Sequence, residues 1–285
     1  MVIKMKKSMK AWAFLAPSFI GVVFFVLVPF GDAVRRSFYE AMSGKFVGTE
    51  NYENVLQNKA FHMAVSNTAK FMVICVPILL LLSLTLSVMV NSLKKYKSFF
   101  KTSFLIPMAI PVASVVFLWK VIFHQNGLLN ILLLKFGVEG FDWMSTKAFP
   151  VLVFSYVWKN VGYDMILWLT GLDAISLNLY EAAAVDGANA WKKFWYITLP
   201  GLLPTVFIVT VLSILNTFKV FREAYLIAGT YPRDDSIYML QHLFNNWFAK
   251  LDIQKMCSAA VLVALVIVAI ILILQSLDRK LGEEA

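Results

Sequence analysis

The sequence predicts an all-α integral membrane protein with six transmembrane helices. Two observations carry this prediction. Of the 285 residues, 60% are hydrophobic and only 15% are charged, whereas soluble domains are about 45–50% apolar and about 25% charged. The chain also contains several windows of roughly 20 apolar residues, the length that a helix needs to cross the hydrocarbon core of a bilayer. A water-soluble surface of this size cannot be covered by so few charges, so lipid must be part of the solvent.

The apolar windows place the six helices at about 11–30, 71–90, 103–123, 150–172, 202–218 and 257–277. The first, second and sixth windows contain no charged residue. The third holds Lys120, the fourth holds Lys159 and Asp164, and the fifth is short. We expect the first window to be retained as a helix, because its apolar run is longer than that of a usual signal peptide.

The distribution of Lys and Arg predicts that both termini face the cytoplasm. The segments 1–10, 91–102, 173–201 and 278–285 carry 12 of these residues in 59 positions, and the remaining connecting segments carry 12 in 104. Short cytoplasmic segments are usually richer in positive charge. We find no repeat, low-complexity tract or linker, so we expect a single membrane domain, 1–285, in the plasma or inner membrane. The net charge of +9 is interpreted as topology and lipid-headgroup charge, not as nucleic-acid binding.

The segment 173–201, between the fourth and fifth predicted spans, is named the hairpin loop. Its sequence predicts two short helices separated by a turn. Ser176 and Asn189 are candidate N-caps of the two helices, Gly187 is suited to end the first helix in a left-handed conformation, and Pro200 fits the first turn of the fifth span. Glu181 and Asp186 offer carboxylates to basic groups of a partner. Spacing alone leaves two interpretations open, a docking element and an ordinary re-entry loop.

The hairpin loop resembles the signature loop of the inner-membrane permease subunits of binding-protein-dependent ABC importers. That pattern is Glu-Ala-Ala, three residues, Gly, nine residues, Ile, one residue and Leu-Pro. The matching residues here are Glu181, Ala182, Ala183, Gly187, Ile197, Leu199 and Pro200. The sequence Asp186-Gly187-Ala188 and Phe194 resemble the carbohydrate branch, of the maltose and glycerol-3-phosphate type. Further similarities to that branch occur at 46–52, 66–68, 126–130 and 172–175, and so cover nearly the whole chain.

Two departures from the carbohydrate branch are visible. Ser176 stands where that branch commonly has proline, which alters the entry to the first short helix. The 26-residue segment 124–149 has no room for the large external domain of the larger maltose permease subunit. Maltose is therefore not carried over as the solute.

The resemblance implies the type I ABC importer transmembrane fold, with a core region of about 67–277. It implies that the hairpin loop contains a coupling helix that seats in a groove of a cytoplasmic ATPase. Glu181 would pair with a basic residue of that groove, Ala182 and Ala183 would pack in it, and Gly187 would give the bend. The implied partners are two ATPase copies, a second permease subunit and an extracytoplasmic solute-binding protein, which segments 31–70 and 219–256 would meet. The chain would form half of a translocation pathway for a sugar or sugar-like solute.

Polar groups inside spans are costly and mark a candidate pathway. The fourth span carries a stripe at helical spacing that offers hydroxyl, amide and aromatic groups to a sugar. The candidate solute-pathway residues are Tyr156, Lys159, Asn160, Tyr163, Asp164 and, from the fifth span, Asn216. The alternative role of such groups is to hold helices together. For Ser213 and Thr217 we expect hydroxyl-to-backbone hydrogen bonds.

Catalysis, metal binding and cofactor binding find no support in the sequence. It contains no GxxxxGK[ST], HExxH or GxSxG pattern, so ATP hydrolysis would belong to a partner and no catalytic residue or cofactor is expected. The three histidines lie in separate segments without further ligands at metal-binding spacing. Three alternatives remain open: a permease for another solute class, an ATP-independent secondary transporter, and a membrane scaffold without transport.

Overall fold

The structure, a computed structural model, describes residues 12, 14–93, 95–229, 232 and 234–283. Within these residues every regular element is helical, and one isolated β-bridge joins Tyr39 to Phe46. The all-α class is therefore confirmed. The helices are α1 (Phe14–Ser37), α2 (Glu50–Leu56), α3 (Lys59–Ser92), α4 (Lys97–Ala109), α5 (Val112–Ile122), α6 (Leu128–Lys135), α7 (Trp143–Thr146), α8 (Ala148–Ala174), α9 (Leu177–Val185), α10 (Ala190–Lys193), α11 (Leu203–Ala228), α12 (Leu240–Ala249) and α13 (Ile253–Glu283).

Four helices among the described residues are long and apolar enough to cross a membrane: α1, α3, α11 and α13. The α4–α5 pair adds a fifth crossing if the two helices together form one broken span. Helix α8 has 27 residues, but Lys159, Asn160 and Asp164 lower its mean hydropathy. The multi-pass membrane character of the chain follows from these helices.

The prediction of one straight helix over 103–123 is wrong. Helices α4 and α5 are bent by 87° relative to each other, and the break lies at Ile110 and Pro111, whose ψ angles are 131° and 136°. Proline has no N–H to donate, and it pushes the preceding residue out of the helical region. The two backbone positions before α5 therefore adopt extended conformations.

Several helices are longer than their apolar windows. Helix α3 begins at Lys59, not at 71, and α11 continues past 218 through a 3₁₀ turn, Phe218–Val220, to Ala228. At about 1.5 Å per residue, α3 is roughly 50 Å long and exceeds the hydrocarbon core. Hydropathy locates the buried middle of such a helix, but its polar ends are decided by local hydrogen bonding and packing.

The described residues fall into two compact units. The first comprises residues of 1–59 and 244–268. In it, the amide of Asn51 donates hydrogen bonds to the carbonyl oxygens of Ser37 (3.0 Å) and Tyr39 (3.1 Å), and the hydroxyl of Ser258 donates to the carbonyl oxygen of Ser37 (3.3 Å). These bonds attach α2 and the start of α13 to the end of α1.

The second unit comprises residues of 60–243 and 269–285, and α8 is its central helix. Thirteen residues of α8 are buried, and the helix packs along α4, α11 and α5. Phe71, Leu152 and Tyr156 belong to one hydrophobic cluster and Met165, Leu169 and Val209 to another. Because α8 is packed against other helices, the polar residues of its middle, Ser155 to Asp164, are buried or half-buried.

Gly162 sets the distance between α8 and α4. A Cβ on Gly162 would overlap the carbonyl oxygen of Phe104, a backbone atom that cannot move aside. We expect Gly162→Ala to lower the free energy of unfolding in detergent by about 3 kcal/mol or more, because overpacking forces backbone shifts. The measurement is the yield of monodisperse protein together with its thermal unfolding midpoint.

The matched control for this change is Gly31→Ala. Outside its own helix, no described residue lies within 4 Å of the added methyl group there, and alanine favours a helix more than glycine does. We expect this variant to be at least as stable as the original chain. Equal stability of the two variants would show that the α4–α8 contact is not tight.

Candidate functional site

The first candidate site is the hairpin loop, and it contains the two predicted short helices. Ser176 occupies the N-cap position of α9 with an extended backbone, but its side chain makes no capping hydrogen bond. The predicted side-chain cap at Ser176 is therefore wrong. The backbone carbonyl oxygen of Ser176 instead accepts a hydrogen bond from the amide of Leu179 (3.2 Å). That amide is one of the unpaired N–H groups at the start of the helix that a capping side chain would otherwise accept from.

The turn of the hairpin loop has the geometry that its sequence predicts. Gly187 has a φ of +77°, which glycine adopts at little cost. The amide of Ala188 donates to the carbonyl oxygen of Ala183 (2.8 Å), and the amide of Gly187 donates to that of Ala184 (3.2 Å). These two bonds form a Schellman motif. Asn189 then caps α10, its side-chain oxygen accepting from the amide of Lys192 (2.9 Å).

Most of the signature residues that precede the turn are open to contact from outside. Glu181, Ala182, Asp186 and Gly187 are exposed, and Ala183 is half-buried. In the returning segment of the hairpin loop, which is helical over Phe194–Thr198 and Leu199–Gly201, Ile197 and Leu199 are half-buried and Pro200 is exposed. The exposed apolar side chain of Val185, with 89% of its surface accessible, lies beside them.

Two contacts fix the hairpin loop to itself and to the rest of the second unit. The hydroxyl groups of Tyr180 and Thr198 are 2.9 Å apart and join the outgoing and returning segments. Asp173 forms ion pairs with Lys97 and, at 3.9 Å, with Lys101. Asp173 and Lys97 were not singled out by the sequence, although the lysine cluster of 91–102 was the available signal.

The second candidate site is the polar cavity, a space of about 540 Å³ among α4, α5, α8, α11 and the start of α12. Four of the six candidate solute-pathway residues line it: Tyr156, Lys159, Asn160 and Asn216. The sequence did not single out four further polar residues of its wall: Lys219, Arg222, Glu223 and Gln241. The cavity therefore collects polar groups from the fourth predicted span and from the continuation of the fifth.

An ion pair crosses one wall of the polar cavity. Nζ of Lys159 lies 3.6 Å from Oε1 of Glu223, and only 11% and 8% of the two side chains are accessible. A charged group inside a membrane protein needs such a partner. Glu223 is the one acidic residue between 202 and 229, so the requirement of Lys159 for a carboxylate was a signal that could have identified it.

Other polar groups of the stripe have partners of different kinds. Nδ2 of Asn160 donates to the carbonyl oxygen of Tyr156 (2.8 Å), while the buried Tyr156 hydroxyl has no hydrogen-bond partner among the described residues. Nζ of Lys219 donates to Oδ1 of Asn216 (2.7 Å). The Tyr156 side chain thus lines the cavity, while its hydroxyl is buried and unsatisfied among the described residues.

Asp164 and Tyr163 do not line the polar cavity. Asp164 is buried, and its Oδ2 accepts a hydrogen bond from the hydroxyl of Ser213 (2.7 Å). This bond joins α8 to α11 at a helix–helix contact. The backbone bond expected for the Ser213 hydroxyl is therefore wrong, whereas Thr217 does donate to the carbonyl oxygen of Ile214 (2.6 Å). Tyr163 is half-buried.

His242, on α12, follows the cavity residue Gln241 and is buried against the ring of Phe221. Burial lowers the pKa of His242 to about 4. The backbone amide of Met239 donates to its Nδ1 (3.2 Å), which requires that nitrogen to be unprotonated. The imidazole is therefore neutral in the folded chain at neutral pH.

The neutral state of His242 makes stability depend on pH. The pKa is depressed in the folded state, so the unfolded chain takes up the proton first as the pH falls below about 6.5. We expect a loss of about 2 kcal/mol in the free energy of unfolding between pH 7.5 and pH 5 from this residue, at about 1.4 kcal/mol per pKa unit. The measurement is the thermal midpoint against pH for the original chain and for His242→Asn, whose side-chain oxygen can accept the same bond. An unchanged pH profile in the variant would contradict this assignment.

The part of the chain that the structure describes contains no candidate metal site. No group of three or more His, Cys, Asp or Glu side chains is arranged there to hold an ion. Cys75 and Cys257 are both buried and unpaired.

Together, the helices and the two sites define a multi-pass membrane protein with an exposed helical hairpin and a polar cavity among its helices. The model of the family described as "Binding-protein-dependent transport system inner membrane component" matches residues 80–283. The chain belongs to this family. It is thus a membrane component of a transport system and not an enzyme.

Similar proteins come from sugar transport systems. The chain is 29% identical to the lactose transport system permease protein of Rhizobium radiobacter, over 94% of this chain and 93% of the relative. It is 30% identical to the arabinooligosaccharides transport system permease protein of Bacillus subtilis, over 94% and 88%. The fold is similar to that of a bacterial alginate ABC transporter in complex with an alginate pentasaccharide-bound periplasmic protein, with a TM-score of 0.85, 22% identity and coverage of 98% and 97%. This last likeness shows the permease fold of an ABC transporter.

Proposed function

We propose that the chain imports a sugar or sugar-like solute as one of two permease subunits, driven by a separate ATPase. The observation that carries the proposal is the hairpin loop: a signature motif whose acidic and small residues are exposed on a rigid helical hairpin. Such a surface suits a groove in a partner, because exposed carboxylates pair with basic groups and small side chains permit close approach. The sugar relatives support the solute class.

We further propose that the chain crosses the membrane six times. The spans are α1, α3, the broken α4–α5 pair, α8, α11 and α13. Helix α8 has 27 residues and is about 40 Å long, enough to cross a core of about 30 Å. Its polar residues are compatible with a span because they pair inside the protein. An even number of spans and the distribution of basic segments support a cytoplasmic location for both termini and for the hairpin loop. The whole chain, 1–285, then acts as one membrane domain.

The partners follow from this arrangement. Two ATPase copies would dock on the hairpin loops of this chain and of a second permease subunit. An extracytoplasmic solute-binding protein would deliver the solute, as the periplasmic protein in the alginate transporter structure suggests. The polar cavity, with its hydroxyl, amide and aromatic groups, would contact the solute on its path.

The test is reconstitution of the assembled transporter in proteoliposomes with ATP inside and a sugar-loaded binding protein outside. We expect ATP hydrolysis to rise with the loaded binding protein and solute to accumulate only when ATP is present. Accumulation driven by an ion gradient without ATP would instead support a secondary transporter. Absence of uptake with intact ATPase docking would support a scaffold.

A further inference from the structure

The wall of the polar cavity carries an excess of positive charge. Its lining includes the half-buried Lys159, the exposed Lys219 and Arg222, and one carboxylate, that of Glu223. Glu223 is already paired with Lys159 at 3.6 Å. The other polar groups of the wall are neutral amides and the Tyr156 hydroxyl. The cavity therefore has two positive charges more than it has negative ones.

The two excess cations have no counter-ion within the described chain. No carboxylate lies within ion-pair distance of Lys219 or Arg222 among the described residues, and Lys219 instead donates to the neutral oxygen of Asn216 (2.7 Å). The two cations are three residues apart at the end of α11, which puts them on neighbouring positions of one helix face. Like charges in this position repel each other, so the pair is more stable when an anion lies between them.

We propose that the polar cavity takes an acidic saccharide and holds its anionic group with Arg222 and Lys219. This inference rests on the proposed function and narrows its substrate class. A planar guanidinium binds a carboxylate or a phosphate through two parallel hydrogen bonds, and an ammonium adds a point charge. Asn160, Asn216 and Gln241 then remain for sugar hydroxyl groups. The volume of about 540 Å³ lies within the usual range of small-molecule sites.

The experiment uses the assembled transporter in proteoliposomes with its solute-binding protein. The probes are a mixed oligosaccharide hydrolysate separated by anion exchange into a neutral and an acidic fraction. Phosphatase treatment of the acidic fraction distinguishes its two sources of charge, because it removes phosphate and leaves carboxylate. The variants are Arg222→Gln, Arg222→Lys and, as a control with the same loss of charge on an exposed residue of α5, Lys120→Gln.

We expect uptake from the acidic fraction. Arg222→Gln should raise the KM for this fraction by roughly tenfold, the loss expected for one charge-assisted contact. Arg222→Lys keeps the charge but loses the paired hydrogen bonds, so its KM should lie between those of Arg222→Gln and the original chain, and Lys120→Gln should stay close to the original chain. Import of the neutral fraction alone would overturn the inference and leave the sugar permease intact. Equal losses for both fractions in Arg222→Gln, or loss of assembly with the second permease, would also overturn it, since Arg222 would then pair with protein. Import of neither fraction would refute the sugar permease itself.

Discussion

Replacing Glu181 with lysine is expected to abolish stable association with the ATPase while leaving insertion into the membrane intact. The Glu181 side chain is exposed on α9, so its loss removes no internal packing, and surface substitutions usually change stability by no more than about 0.5 kcal/mol. A charge-assisted contact across an interface contributes about 1.5–3 kcal/mol, and reversal of the charge adds repulsion. We therefore expect at least roughly a thirtyfold loss of affinity. The measurement is co-purification of the ATPase in mild detergent, with membrane yield measured in parallel.

The control for Glu181→Lys is Glu139→Lys. This residue is also an exposed glutamate, lies between α6 and α7, and by the predicted topology faces the opposite side of the membrane. The same change of charge at this position should leave ATPase binding unaltered. Normal co-purification of the ATPase by the Glu181 variant would refute the docking role of the hairpin loop.

Removing one member of the Lys159–Glu223 pair is expected to destabilise the chain strongly, whereas removing both is expected to restore much of the loss. With 11% and 8% of the side chains accessible, either residue left alone is a nearly buried charge. Breaking such a pair costs about 3–5 kcal/mol, but replacing both members by apolar residues is often neutral. The variants are Lys159→Met, Glu223→Met and their combination, and the coupling energy follows from the double-mutant cycle of unfolding free energies in detergent.

An exposed ion pair provides the comparison. Asp32 lies 2.6 Å from Arg36, but the two side chains are 43% and 53% accessible. Such a pair contributes at most about 1 kcal/mol, so Asp32→Asn should have a small effect. If Lys159→Met were as mild as Asp32→Asn, the cavity wall would be well hydrated and the pair would not hold α8 to α11.

Part of the candidate site was predictable because its structure is local. The turn at Gly187 and the cap at Asn189 depend on hydrogen bonds between residues at most five apart. The spacing of residues in the sequence is therefore nearly sufficient to predict this turn and this cap. Ser176 is the exception within the hairpin loop. Its backbone carbonyl oxygen, and not its side chain, accepts the hydrogen bond from the amide of Leu179.

Of the walls of the polar cavity, mainly the one formed by α8 was predictable from the sequence. Helical spacing placed Tyr156, Lys159 and Asn160 together, since residues three and four apart share a face. Spacing cannot show which neighbour that face meets. Asp164, four residues after Asn160, meets Ser213 at a helix contact, and Tyr163 lies away from the cavity as well.

Hydropathy and short motifs act over one helix or one turn, so the amino-acid sequence was sufficient to predict a helical membrane protein and to mark the hairpin loop. The pairing of the polar residues is visible only in the folded chain. Lys159 and Glu223 are 64 positions apart in the sequence, and α11 reaches Glu223 only because the helix continues beyond its apolar window. The physical reason is that a charge inside the membrane needs a partner from another helix, and the packing of the helices selects which residue that partner is.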